Sequence, residues 1–66
     1  MRNAKEIKRA KVIANALARY AFIGDSHPSD HTEIINDARL AVSALLELQG
    51  VSNPTITDVE AVLAVV

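Results

Sequence analysis

The chain has 66 residues, half of them hydrophobic and 3% aromatic, no cysteine, and a formal net charge of −1. That length allows one domain, residues 1–66, and the lack of cysteine excludes disulfides and thiolate zinc sites. No stretch reaches the ~18 apolar residues of a membrane span. Polar residues interrupt the basic start, so no signal peptide is read, and a soluble, cytoplasmic protein is expected. Eleven residues are alanine, against one Phe, one Tyr and no Trp. Alanine favours helix but buries little area. A short chain with small side chains and no staple points to self-association as a source of stability.

The spacing predicts a first helix from about 4 to 22. Ile7, Ala10, Ala14, Leu17 and Ala21 follow a 3-4-3-4 seam, widened by Ile13 and Tyr20, with Lys8, Lys11, Asn15 and Arg19 opposite. Gly24 fits the left-handed position past the helix end. A turn of small polar residues leads to a second helix from about 30 to 49, where Asp30 and Glu33 have capping-box spacing and Ser29 is an alternative cap. Its seam is Ile34, Ala38, Ala41, Leu45 and Leu48, and Gly50 ends it. After a turn containing Asn53-Pro54, Thr57 and Glu60 have capping-box spacing for a third helix from about 58 to 66. A helix of that length is not stable alone in water, so it must dock.

Matched helix lengths and a short connection predict an all-α fold: an antiparallel helical hairpin plus a short third helix. Ala10, Ala14 and Ala21 facing Ala38 and Ala41 would bring the two axes close together. Second apolar flanks (Val12, Tyr20, Phe22 and Ile23; Ile35, Val42 and Leu46) remain, which predicts that two hairpins pack into a dimeric helical bundle.

Charge is divided along the chain. Through Ile23 the cations are Arg2, Lys5, Lys8, Arg9, Lys11 and Arg19 against Glu6; from Gly24 onward the acids are Asp25, Asp30, Glu33, Asp37, Glu47, Asp58 and Glu60 against Arg39. The acids suit the positive N-terminus of helix 2, whereas Arg2, Lys5 and Lys8 crowd the positive end of helix 1. Two uses of the basic block follow. It orients a second subunit by lying beside its acidic tip, or it binds an acidic partner or nucleic-acid phosphate through Arg2, Lys5, Lys8, Arg9 and Lys11. Chance solvation of an exposed helix accounts for the same pattern.

The turn Asp25-Ser26-His27-Pro28-Ser29-Asp30-His31 contains the residue types of nucleophilic catalysis and a histidine pair four apart. Catalysis needs a serine, a base oriented by a carboxylate, an oxyanion site and a cleft. Sequence neighbours in a short turn do not supply that arrangement. His27 is expected before the helix, which spoils helical ligand geometry. No catalytic residue, metal ligand or cofactor is assigned, and turn-building and capping explain the segment.

The stretch Gly50-Val51-Ser52-Asn53-Pro54-Thr55-Ile56-Thr57-Asp58-Val59-Glu60 resembles the turn and recognition helix of helix-turn-helix repressors, with Gly50 as turn glycine and Ile56 and Val59 as buried residues. The resemblance spans about eleven residues. It implies DNA readout by the last helix. No Lys or Arg follows Arg39, however, and Asp58 and Glu60 would repel phosphate. The expected function is therefore that of a small, non-enzymatic helical binding or regulatory protein. It would act through protein–protein interaction as a homodimer: an accessory protein, inhibitor or adaptor. Its composition is that of many small phage and mobile-element proteins. The alternative is a nucleic-acid-associated regulator using basic helix 1.

Overall fold

A computed structural model describes residues 4–66. Its α-helices are α1 (Ala4–Ala21), α2 (His31–Leu48) and α3 (Ile56–Leu63). The described residues include no strand, and none of these helices is long and apolar enough to cross a membrane.

The α1 segment contains neither Gly nor Pro and is rich in Ala, Lys and Arg, all strong helix formers. It gives way to a 3-10 turn, Ile23–Asp25. Gly24 sits inside that turn and does not take the left-handed conformation; of the two glycines only Gly50 has a positive φ, 93°. The chain therefore leaves α1 by tightening its last turn.

Pro28 then opens a second 3-10 turn, Pro28–Asp30, with His27 extended (φ −64°, ψ 137°) as its cap. The residue before a proline is pushed into that region sterically. The turn runs directly into α2, which overturns the expected Asp30–Glu33 capping box. Asp30 is already helical and its side chain makes no capping bond. The backbone N–H groups of Asp30 and His31 donate to the carbonyls of His27 and Pro28. The turn's own backbone carbonyls thus lead the chain into α2, and the side chain that caps the turn is that of His27.

The C-terminus of α2 is closed by backbone alone. Gly50 N–H donates to the Glu47 carbonyl at 3.0 Å and Val51 N–H to the Leu46 carbonyl at 3.0 Å. That is the Schellman pattern, which requires a left-handed residue where Gly50 stands. The third helix begins earlier than expected. Thr55, not Thr57, is its cap, and Asp58, not Glu60, completes the box: Asp58 N–H donates to Thr55 Oγ1 and Thr55 N–H donates to Asp58 Oδ2, both at 3.1 Å. Ile56 is consequently the first helical residue and is 74% exposed. The buried role that the helix-turn-helix resemblance gave it is not realised, whereas Val59 is buried.

α1 and α2 pack antiparallel. Arg19 pairs with Asp37 near the tip, while Ala10 and Leu48 share a groove near the open end. The core holds Ala38 and Val42 of α2 with Val59 and Leu63 of α3, and Leu17, Tyr20, Leu46 and Val62 pack against it. The α1 face turned inward is centred on Ile13, the buried residue of that helix. Ala10, Ala14 and Ala21 do not face Ala38 and Ala41; all three are exposed. The flank containing Val42 and Leu46 is covered within the chain by α3, so it does not call for a second hairpin, and Val42 is 0% exposed.

Candidate interaction surface

Of the basic block, Arg2 lies outside the described residues. Lys5, Lys8, Arg9 and Lys11 are all exposed on α1. Lys8 and Lys11 stand roughly opposite Ile13 round the helix, away from α2. Among the described residues the ion pairs are Arg19–Asp37 at 3.6 Å and Arg39–Glu60 at 3.3 Å, each about half exposed. Pairs of this kind contribute about 0–1 kcal/mol. Neither uses the basic block, and Lys5 lies about 20 Å up the helix from Arg19 by helical rise. At the tip Asp25, Asp30 and Glu33 are exposed, and none of them is in either of those pairs.

The seam residues divide into two sets. Ile34, Ala38 and Ala41 are buried, and Leu17, Tyr20 and Leu45 are half-buried. Ile7, Ala10, Ala14, Ala21 and Leu48 are exposed, with Ile7 at 46% and Leu48 at 64%. Three of the exposed residues, Ala10, Ala14 and Leu48, lie together. Ala10, Ala14 and Leu17 line a groove with Leu45 and Leu48, floored by Ile13 and rimmed by Glu6 and Arg9. A second groove on the other side of Ile13 is lined by Val12, Ala16, Leu40 and Ala44 and edged by the Arg19–Asp37 pair. Leu40 belongs to neither predicted stripe. The sequence reading missed this groove; an off-pattern leucine on a helix with a complete seam is the signal that could have found it.

The histidine turn is a knot of local hydrogen bonds. Ser29 N–H donates to His27 Nδ1 at 3.2 Å, and the Ser29 hydroxyl lies 2.7 Å from the same nitrogen. His31 Nε2–H donates to the Ser26 carbonyl at 3.2 Å across the turn. A Ser–His contact thus exists, but its base nitrogen already serves as a backbone cap. The two rings hold different parts of the turn and share no ligand position. Among the described residues no group of three or more His, Asp or Glu is placed to hold a metal ion.

These features define a small three-helix protein with open apolar grooves beside a basic helix. Comparisons with protein-family models, curated proteins and solved structures find no match.

Proposed function

We propose that this chain is a non-enzymatic helical binding protein, an accessory, inhibitory or adaptor factor that works through protein–protein contact as a homodimer. The observation that carries the reading is the unfilled groove along the α1–α2 hairpin. A leucine left in water there, as Leu48 is, forgoes up to about 1.5–3 kcal/mol of burial. A protein of this size has little stability to spare, so a surface that regains such burial on association has a physical motive. Sedimentation equilibrium tests it: a dimer at micromolar concentration is expected, and a folded monomer there refutes the homodimer.

One observation favours a second reading. Lys5, Lys8, Arg9 and Lys11 are exposed and make no ion pair among the described residues, and with Arg2 they form a block suited to nucleic-acid phosphate. On that reading duplex binding falls steeply with salt and is lost in Lys5→Glu/Arg9→Glu. Absence of binding at about 50 mM salt, where phosphate contacts are strong, removes it.

A further inference from the structure

We infer that the second groove, the one around Val12, Ala16, Leu40 and Ala44, is the face on which a second copy of this chain docks, turned so that α1 of each copy lies over α2 of the other. The inference rests on the homodimer reading above and adds which face is used and how the copies are oriented.

This face is the bare side of the hairpin. α3 packs against Ala38 and Val42, and Leu40 lies about 160° round α2 from either of them at 3.6 residues per turn. No described element covers Leu40, which is 71% exposed, or Val12, which is 60% exposed.

Two stripes bound the groove. On α1, Arg9, Val12, Ala16 and Arg19 follow 3-4-3 spacing, so they share one side of the helix. On α2, Asp37, Leu40, Ala44 and Glu47 follow the same spacing. Each stripe has a large apolar residue and an alanine at its centre and a charge at each end, positive on α1 and negative on α2. Lys5 and Glu33 extend the stripes by one turn with the same signs. The Arg19–Asp37 contact fixes their register. Counting back from it along antiparallel helices sets Ala16 level with Leu40, Val12 with Ala44 and Arg9 with Glu47. Arg9 and Glu47 are both exposed, and neither is in the ion pairs that the chain makes internally.

Such a face is complementary to itself. A two-fold axis running along the groove lays α1 of one copy over α2 of the other, with no slide along the helices, and every contact occurs twice. Leu40 then meets Ala16 of the other copy, Val12 meets Ala44, and Arg9 and Arg19 meet Glu47 and Asp37. Each large side chain is set against a small one and each cation against an anion. All neighbouring helices are antiparallel, as in an up-down four-helix bundle. A two-fold axis across the groove would instead lay α1 on α1, setting Arg9 against Arg19 and Asp37 against Glu47, like charge on like. The groove of Ala10, Ala14 and Leu48 lacks this pattern, because both of its rim charges, Glu6 and Arg9, stand on α1.

Sedimentation equilibrium of the full chain and its variants tests the assignment. Leu40 and Leu48 are both exposed, so Leu40→Asp and Leu48→Asp are expected to keep the helical fold, which circular dichroism checks. The wild type and Leu48→Asp are expected to be dimers and Leu40→Asp a monomer. A monomeric wild type overturns the homodimer reading and this inference together. A dimer that Leu40→Asp leaves intact, or that Leu48→Asp breaks, overturns the face assigned here and leaves the homodimer standing. Charge reversal reads the arrangement without touching either leucine. Arg9→Glu and Glu47→Arg are each expected to weaken self-association about tenfold at low salt, and less at high salt. An equimolar mixture of the two is expected to associate as tightly as the wild type, because each introduced charge then meets its opposite on the other chain. Repulsion inside each chain is the same alone and in the mixture, so only contact between chains restores association. No change or a tightening in either single variant, or a mixture no tighter than its components, overturns the arrangement.

Discussion

Thr55, Asp58 and the two glycines show how much local chemistry rests on single positions. The spacing Thr57–Glu60 reads as the helix start, but the structure uses Thr55–Asp58, the same spacing two residues earlier. The backbone chooses Thr55–Asp58 because Asn53, with φ 50°, and Pro54 finish the turn just before Thr55. Thr55→Ala is expected to cost about 1 kcal/mol, whereas Thr57→Ala stays within about 0.5 kcal/mol. Thermal melting separates them, since 1 kcal/mol shifts the midpoint of so small a domain by roughly 4–8 °C. The glycines divide similarly. A Cβ at either meets open space, so the backbone decides the outcome. At Gly50, with φ 93°, Gly50→Ala places a side chain in a left-handed residue and costs about 1 kcal/mol. Gly24→Ala meets no such strain and is expected to stabilise the protein by about 0.4–1 kcal/mol, by restricting the unfolded chain. If both alanine variants melt alike, the assignment of Gly50 as the left-handed C-terminal residue is wrong.

At the scale of the element, α3 matters most. Eight residues do not hold a helix in water, yet α3 closes the core through Val59 and Leu63. Leu63→Ala is expected to destabilise by about 2–5 kcal/mol, which approaches the whole stability of a domain this small. Ile56→Ala, in the same helix but exposed, should remain within about 0.5 kcal/mol. Urea unfolding of the two variants measures the contrast. Comparable losses would mean that α3 docks in a different rotation. The rotation of α1 was not readable from its sequence for a related reason. Alanine is apolar enough to extend a stripe but too small to anchor one. Ile7, Ala10, Ala14 and Ala21 trace a seam at heptad spacing, while the helix turns inward on Ile13, Leu17 and Tyr20, which have more area to bury. Periodicity records that an apolar face exists; side-chain volume decides which of two overlapping faces is filled first.

At the scale of the whole molecule, the two polar clusters stay apart. The antiparallel hairpin puts the basic start of α1 at one end and Asp25, Asp30 and Glu33 at the other. If a second copy docks on the hairpin, folding and association are coupled. The melting temperature should then rise with protein concentration, as for any species whose partner binds only the folded form. A concentration-independent melt over a hundredfold range, about 2.7 kcal/mol of mass action, means that the single chain carries its own stability. The candidate surface was legible in part. The open residues Ala10, Ala14 and Leu48 stood in the predicted seams. That α2 does not meet the first two followed only from seeing α1 turned toward Ile13.

The sequence by itself determined that this is an all-helical chain of three helices in hairpin order, and that its charge is separated along its length. Those properties depend on near neighbours: apolar residues three and four apart, Gly and Pro at the breaks, small polar residues at the turns. Tertiary structure decided that Thr55–Asp58 rather than Thr57–Glu60 starts α3, that α3 rather than a second hairpin covers Val42, and that four of the five α1 seam residues stay open. Each of those outcomes depends on competition between surfaces for the same neighbour, and side chains distant in sequence settle that competition by how much area each can bury.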